Sequence, residues 1–110
     1  MTAAPLCRVA CERGADTLFV TVDGELDMAA EEEVVTAARA AWTTTSSELS
    51  RVVVDTSGVS FVDSSGLRAL LRCRDAATEQ GFEFVLRAAP DSPVQRLIDL
   101  AGVRAWFTCG

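Results

Sequence analysis

Asp63, Ser64, Ser65 and Gly66 place a carboxylate, two hydroxyls and a residue without a side chain at four consecutive positions. Such a run could supply an acyl-transfer nucleophile, a helix cap or a phosphate acceptor. The first finds no support. The chain has no His and no Lys to act as base, and no glycine stands two residues before either serine, as the GxSxG elbow requires. As a cap, Asp63 or Ser64 would accept a hydrogen bond from one of the N–H groups left free at a helix start. The capping box is incomplete, because Gly66 and Leu67 occupy the places of its Glu or Gln. Capping therefore accounts for one residue and not for a pair of serines. With Asp63 or Ser64 as the cap, Ser65 lies in the first turn with its hydroxyl free. A phosphoryl group there would sit at the positive end of the helix dipole. Arg68, three residues along, is placed to pair with it.

The rest of the inventory narrows the chemistry. Without His or Lys there is no histidine metal ligand, no Schiff base and no P-loop lysine. Tyr and Asn are absent too. Carboxylates, hydroxyls, four thiols and guanidinium groups remain. The formal net charge is −6, and it is unevenly placed: residues 1–50 carry nine acids against three Arg, while residues 51–110 are balanced. An acidic surface repels phosphate backbones and anionic headgroups, so nucleic acid and bare membrane are poor partners and a basic protein surface is a better one. No run approaches the roughly 18 apolar residues of a membrane span, and residues 1–11 do not read as a secretory signal. Cys7 and Cys11, on one strand, would lie about 13 Å apart, too far to bridge. Cys73 and Cys109 have no CxxC partner. All four read as reduced, mostly buried side chains.

The elements that must position the serines follow from periodicity. The length of 110 residues suits one domain. Leu6–Glu12 and Thr17–Asp23 alternate as two strands around a turn at Arg13–Asp16, a hairpin. From Met28 to about Thr44 the period changes: Val34, Val35, Ala38, Ala41 and Trp42 form one helical stripe, and Glu31, Glu32 and Glu33 sit in the first turn, where the dipole favours acids. Residues 43–50 read as a polar loop. Arg51–Asp55 is a β-branched run expected of a buried strand. Thr56–Gly58 reads as a turn before Val59–Val62. The helix opening at Asp63–Gly66 runs to about Gln80. Its apolar positions are Leu67, Leu70, Leu71 and Ala77; Arg68, Arg72, Asp75 and Glu79 lie opposite, and Gly81 ends it. Phe82–Arg87 is a strand, Pro90–Pro93 a turn, Val94–Ala101 a helix stopped by Gly102, and Trp106–Phe107 a last short strand. This order fits a mixed sheet covered by helices.

Three segments in order carry a resemblance. The run from Val52 to Leu71 (VVVDTSGVSFVDSSGLRALL) resembles the signature of the STAS-domain anti-sigma factor antagonists, small bacterial regulators. Gly24-Glu25-Leu26-Asp27 resembles the GELD loop that follows the family's second strand. Ser92-Pro93-Val94 through Arg96-Leu97 to Leu100-Ala101-Gly102 resembles its last helix. Together they span about residues 6–108. The resemblance implies one α/β STAS domain over residues 1–110: a mixed sheet of four to five strands covered by about three to four helices.

It also implies a phosphorylation-controlled partner switch in the cytoplasm. The second serine of the motif, Ser65, would be the phosphate acceptor, with Ser64 the other candidate. Asp27, Asp63, Ser64, Gly66 and Arg68 would make up the surrounding switch surface. The dephosphorylated form would bind an anti-sigma factor that is also a serine kinase and so free the sigma factor; a PP2C-type phosphatase would reset the cycle. The chain would be no enzyme and would need no cofactor, since ATP and Mg²⁺ belong to the kinase. Neither nucleic acid nor direct membrane contact is implied. A lipid-exporting ABC transporter subunit is the other role open to single-domain relatives, and a regulator of another kinase target is a third. Two departures stand out. Where the family often has a small residue and a proline after the GELD aspartate, this chain reads Met28-Ala29-Ala30-Glu31-Glu32-Glu33. Arg68 stands where a glycine or other small residue is common.

Overall fold

Alternating side chains build the first hairpin. In the computed structural model, which describes residues 7–44, 48–104 and 107–109, β1 (Cys7–Arg13) pairs antiparallel with β2 (Thr17–Leu26). The turn is closed by Gly14 N–H donating to the Thr17 carbonyl at 2.7 Å. Leu18, Val20, Val22 and Leu26 bury one face of β2. After α1 (Met28–Thr44), β3 (Arg51–Val62) joins β2 in parallel; α2 (Ser64–Glu79) leads to β4 (Glu83–Arg87), and α3 (Pro93–Ala101) to a two-residue β5 (Thr108–Cys109). The sheet order is β1-β2-β3-β4-β5, parallel beyond the first pair. Each parallel step uses a helix as its crossover.

The helices hold the core by their predicted stripes. Val34, Val35, Ala38 and Trp42 of α1 and Leu67, Leu70, Cys73 and Ala77 of α2 are buried in one cluster with the inner residues of β2, β3 and β4. Val94 and Ile98 bring α3 into the same cluster. Helix ends follow local chemistry. Ser92 caps α3 by accepting from Gln95 N–H, and Gly102 ends it in the left-handed region at φ 69°.

Three expectations about the strands are corrected. Thr56–Gly58 is not a turn: β3 runs unbroken through it. The polar triplet is absorbed by two register shifts against β2, where β3 supplies one extra residue between Asp55 and Gly58 and another between Val59 and Phe61. Thr56 is buried, and its hydroxyl donates to the Arg87 carbonyl at 2.7 Å, which holds a strand where composition suggested a bend. Gly24–Leu26 of the GELD segment also belong to a strand, the end of β2, so that only Asp27 lies in the connection. The last strand is Thr108–Cys109, following Phe107; Trp106 lies outside the described residues. Cys7 and Cys73 are buried as expected, but Cys11 is exposed. Burial pushes the Cys73 thiol up to about 12.

Candidate functional site

Two parallel strands end together. Leu26 of β2 and Val62 of β3 are register partners, and each is followed by an aspartate and then a helix. Asp63 caps α2: its Oδ1 accepts from Gly66 N–H at 2.9 Å. Asp27 does the same for α1, with Oδ1 accepting from Ala30 N–H at 3.2 Å. The junctions are tied by Asp63 N–H, which donates to the Leu26 carbonyl at 3.4 Å. Gly66 lets them approach. A Cβ there would collide with the Leu26 carbonyl oxygen and lie 2.8 Å from Val62 Cγ2. The start of α2 is thus pressed against the end of β2, beside the start of α1. Two helix N-termini, each with a partial positive charge and free N–H groups, converge at one edge of the sheet.

Ser64 and Ser65 occupy the first two positions of α2. The alternative left open by the sequence is resolved, since Asp63 is the cap. Neither serine hydroxyl makes a hydrogen bond among the described residues; Ser64 is exposed and Ser65 half-buried. Ser65 therefore has a free hydroxyl in a first turn already capped by Asp63. Large apolar side chains flank this edge: Met28, the residue after Asp27, is 74% exposed, and Phe61, just before Val62, is 47% exposed. Exposed side chains of this size beside a polar centre are what a protein partner can cover.

Behind the serines the charges are arranged differently from the sequence expectation. Arg68 does not reach towards Ser65. Its Nε and Nη2 form a fork on the Glu31 carboxylate at 2.9–3.1 Å, and Arg72 Nη1 donates to the second oxygen of Glu31 at 2.9 Å. Arg72 also pairs with Glu32. Arg68 and Arg72, expected on the face away from the core, thus bridge α2 to α1. Glu31 is buried, so of the three consecutive acids that follow Ala30, Glu32 and Glu33 remain on the surface. The hydrogen bonds from Arg68 and then Arg72 hold the Glu31 carboxyl down at about 2, against an ordinary 4.5, and outweigh the effect of burial. The Arg68 pKa is raised, first by its hydrogen bonds to Glu31; Asp63 contributes from the other side.

The structure therefore brings Asp27, Asp63, Ser64, Ser65 and Gly66 to one edge, with Arg68 one turn behind them and tied to Glu31. Sequence reasoning missed Glu31 as the shared partner of Arg68 and Arg72. A signal was present: Glu31, Val34, Val35, Ala38 and Trp42 follow one helical stripe, so a carboxylate there needs a cation from elsewhere. Among the described residues, no three His, Cys, Asp or Glu side chains converge on a possible metal position. No helix is long and apolar enough to cross a membrane.

Comparison with known proteins places this geometry in context. Residues 8–110 match the model of the STAS domain family. The fold is similar to an anti-sigma factor antagonist from Mycobacterium paratuberculosis, at 26% identity and TM-score 0.75, over 98% of this chain and 89% of that one. SpoIIAA, an anti-sigma factor antagonist solved in its unphosphorylated form, shares the fold at 19% identity and TM-score 0.72, over 94% and 88%. The murine Solute Carrier 26 family member A9 anion transporter matches over 84% of this chain but 15% of its own, at 26% identity and TM-score 0.64. Comparison with curated proteins returns no match.

Proposed function

The chain belongs to the STAS domain family, and on that premise we propose that it is a cytoplasmic anti-sigma factor antagonist switched by phosphorylation of Ser65. The observation that carries the reading is the free Ser65 hydroxyl in the first turn of α2, at the edge where two capped helix N-termini meet and the exposed Met28 and Phe61 flank it. In the unphosphorylated state this edge binds an anti-sigma factor that is also a serine kinase and displaces the sigma factor. The kinase brings ATP, Mg²⁺ and the base. Ser65 Oγ attacks the γ-phosphorus, the bond to the β,γ-bridging oxygen breaks, ADP leaves and the hydroxyl proton passes to the kinase. This chain is the substrate and catalyses nothing.

Phosphorylation then releases the partner. It adds nearly two negative charges beside Asp27 and Asp63. A charge left unpaired in a desolvated interface costs about 4 kcal/mol, roughly a thousandfold in affinity. The helix dipole favours the phosphate within the free protein, so release needs no unfolding. A PP2C-type phosphatase removes the phosphate and restores binding.

The test is intact mass after incubation with candidate serine kinases of the same genome, ATP and Mg²⁺. The wild type should gain one phosphate and Ser65→Ala none, while Ser64→Ala should gain it normally. Equal phosphorylation of Ser65→Ala, or none of the wild type, overturns the reading. The likeness to an anion transporter domain favours a second role, as the STAS module of a transporter. Co-purification with a transporter, with no phosphate gain, would select it.

A further inference from the structure

Among the residues around Ser65, cations are scarce. No cationic residue stands between Gly14 and Arg39, or between Arg51 and Arg68. The cations that pair with acids of α1 here are α2's Arg68 and Arg72, on Glu31 and Glu32, while Asp27 and Asp63 add further negative charge. Arg68 lies three residues from Ser65, the spacing at which side chains on one helix face meet. Its guanidinium side chain is 61% exposed, whereas that of Glu31 is 10% exposed. The arginine is thus the movable member of the pair.

We propose that, given Ser65 as the acceptor, Arg68 is the phosphate-holding residue of this chain: it is kept on Glu31 while the serine is free and transfers to phosphoserine 65 once the phosphate is present. The exchange involves no covalent step beyond the phosphorylation itself. It leaves no carboxylate stranded, because Arg72 still donates to Glu31 at 2.9 Å when Arg68 departs. It also answers a local conflict. A phosphate at Ser65 gains from the helix N-terminus but is repelled by Asp63, two residues away, and by Asp27 at the adjoining junction. A guanidinium fork matches phosphate oxygens as well as carboxylate oxygens, so one residue serves both states. Before phosphorylation, Glu31 keeps this cation off the hydroxyl and leaves the acceptor open to a kinase.

The test uses the full chain with phosphoserine genetically encoded at position 65, so that it does not depend on any kinase. The second ionisation of the phosphate is followed by ³¹P NMR across pH 4–8. Arg68→Gln should titrate about one pH unit above the wild type. Arg68→Lys, which keeps the charge, should fall between them, and so should Arg72→Gln, because Glu31 then loses the cation that lets Arg68 depart. In Glu31→Gln, where Arg68 has no competing carboxylate, the midpoint should lie at or below the wild-type value. Amide spectra of each variant establish that it is folded. Coincident midpoints for folded wild type and Arg68→Gln overturn the proposal. Failure of every kinase to modify Ser65 would overturn the acceptor reading instead, and the two results are read separately.

Discussion

The junctions β2–Asp27–α1 and β3–Asp63–α2 solve the same backbone problem with the same residue and then diverge. Each aspartate accepts the N–H three residues on, at 3.2 Å in one and 2.9 Å in the other. After that common step, α1 continues with Met28-Ala29-Ala30-Glu31, and α2 with Ser64-Ser65-Gly66-Leu67. One start offers an exposed apolar side chain and a buried acid; the other offers free hydroxyls and a glycine. Capping is therefore generic here, and the residues just inside the cap decide what each helix start can do. The two are coupled at two levels: at the edge through Gly66 against Leu26, and one turn deeper through Glu31 with Arg68 and Arg72.

The largest effect should come from pushing the junctions apart. Gly66→Ala places a methyl group against the Leu26 carbonyl, backbone that cannot turn away, and against Val62 Cγ2. Overpacking against backbone at a buried position should cost about 3 kcal/mol, or roughly 13 °C in Tm. Gly58→Ala is the control. The group met there is the Asp23 carboxylate at the end of a movable side chain, so the loss should be a fraction of that. Thermal melts of the two variants compare them directly, and equal losses would mean that the close approach at Gly66 is not what fixes the edge.

Next comes the capping itself. Asp63→Ala and Asp27→Ala should each cost about 1 kcal/mol, seen as a lower urea midpoint at unchanged slope. Asp63→Ala should cost more, because its bond is the shorter, 2.9 Å against 3.2 Å. They should differ further in function. Asp63→Ala loosens the turn that presents Ser65 and should slow its phosphorylation, while Asp27→Ala should act mainly on partner affinity. Identical profiles would erase the distinction between the junctions.

How far this arrangement can be read without coordinates depends on the range of the interaction. Helix α1 is legible to its ends because the stripe Val34, Val35, Ala38, Trp42 is a local pattern, and Gly81 and Gly102 punctuate α2 and α3 locally. The Asp63–Gly66 turn is legible as a cap for the same reason. Thr56-Ser57-Gly58 misleads because turn composition is a local statistic. The strand there is held by a hydrogen bond to Arg87, 31 residues away. The Arg68 pairing misleads in the same way. Ser65 is its local neighbour, but Glu31, 37 residues distant in sequence, is brought closer by the packing of α1 on α2. The role of Gly66 also lies in tertiary contact: the motif marks it, and the Leu26 carbonyl explains it.

The smallest effect tests the deeper link between the junctions. Glu31→Gln keeps the shape and part of the hydrogen bonding but removes the charge from a site where Arg68 is largely and Arg72 partly in water, so screening limits the loss. Its pH dependence identifies it. The folded carboxyl titrates at about 2 and an unperturbed one at 4.5, so the folded state binds the proton less readily than the unfolded state. The wild type should therefore hold its full advantage over Glu31→Gln above about pH 5 and lose it progressively as pH falls from 4.5 towards 2. Urea midpoints of the pair across that range should converge, and added salt should shrink the difference at neutral pH. A gap independent of pH would assign Glu31 a packing role and leave Asp63 N–H and Gly66 as the connection between the two helix starts.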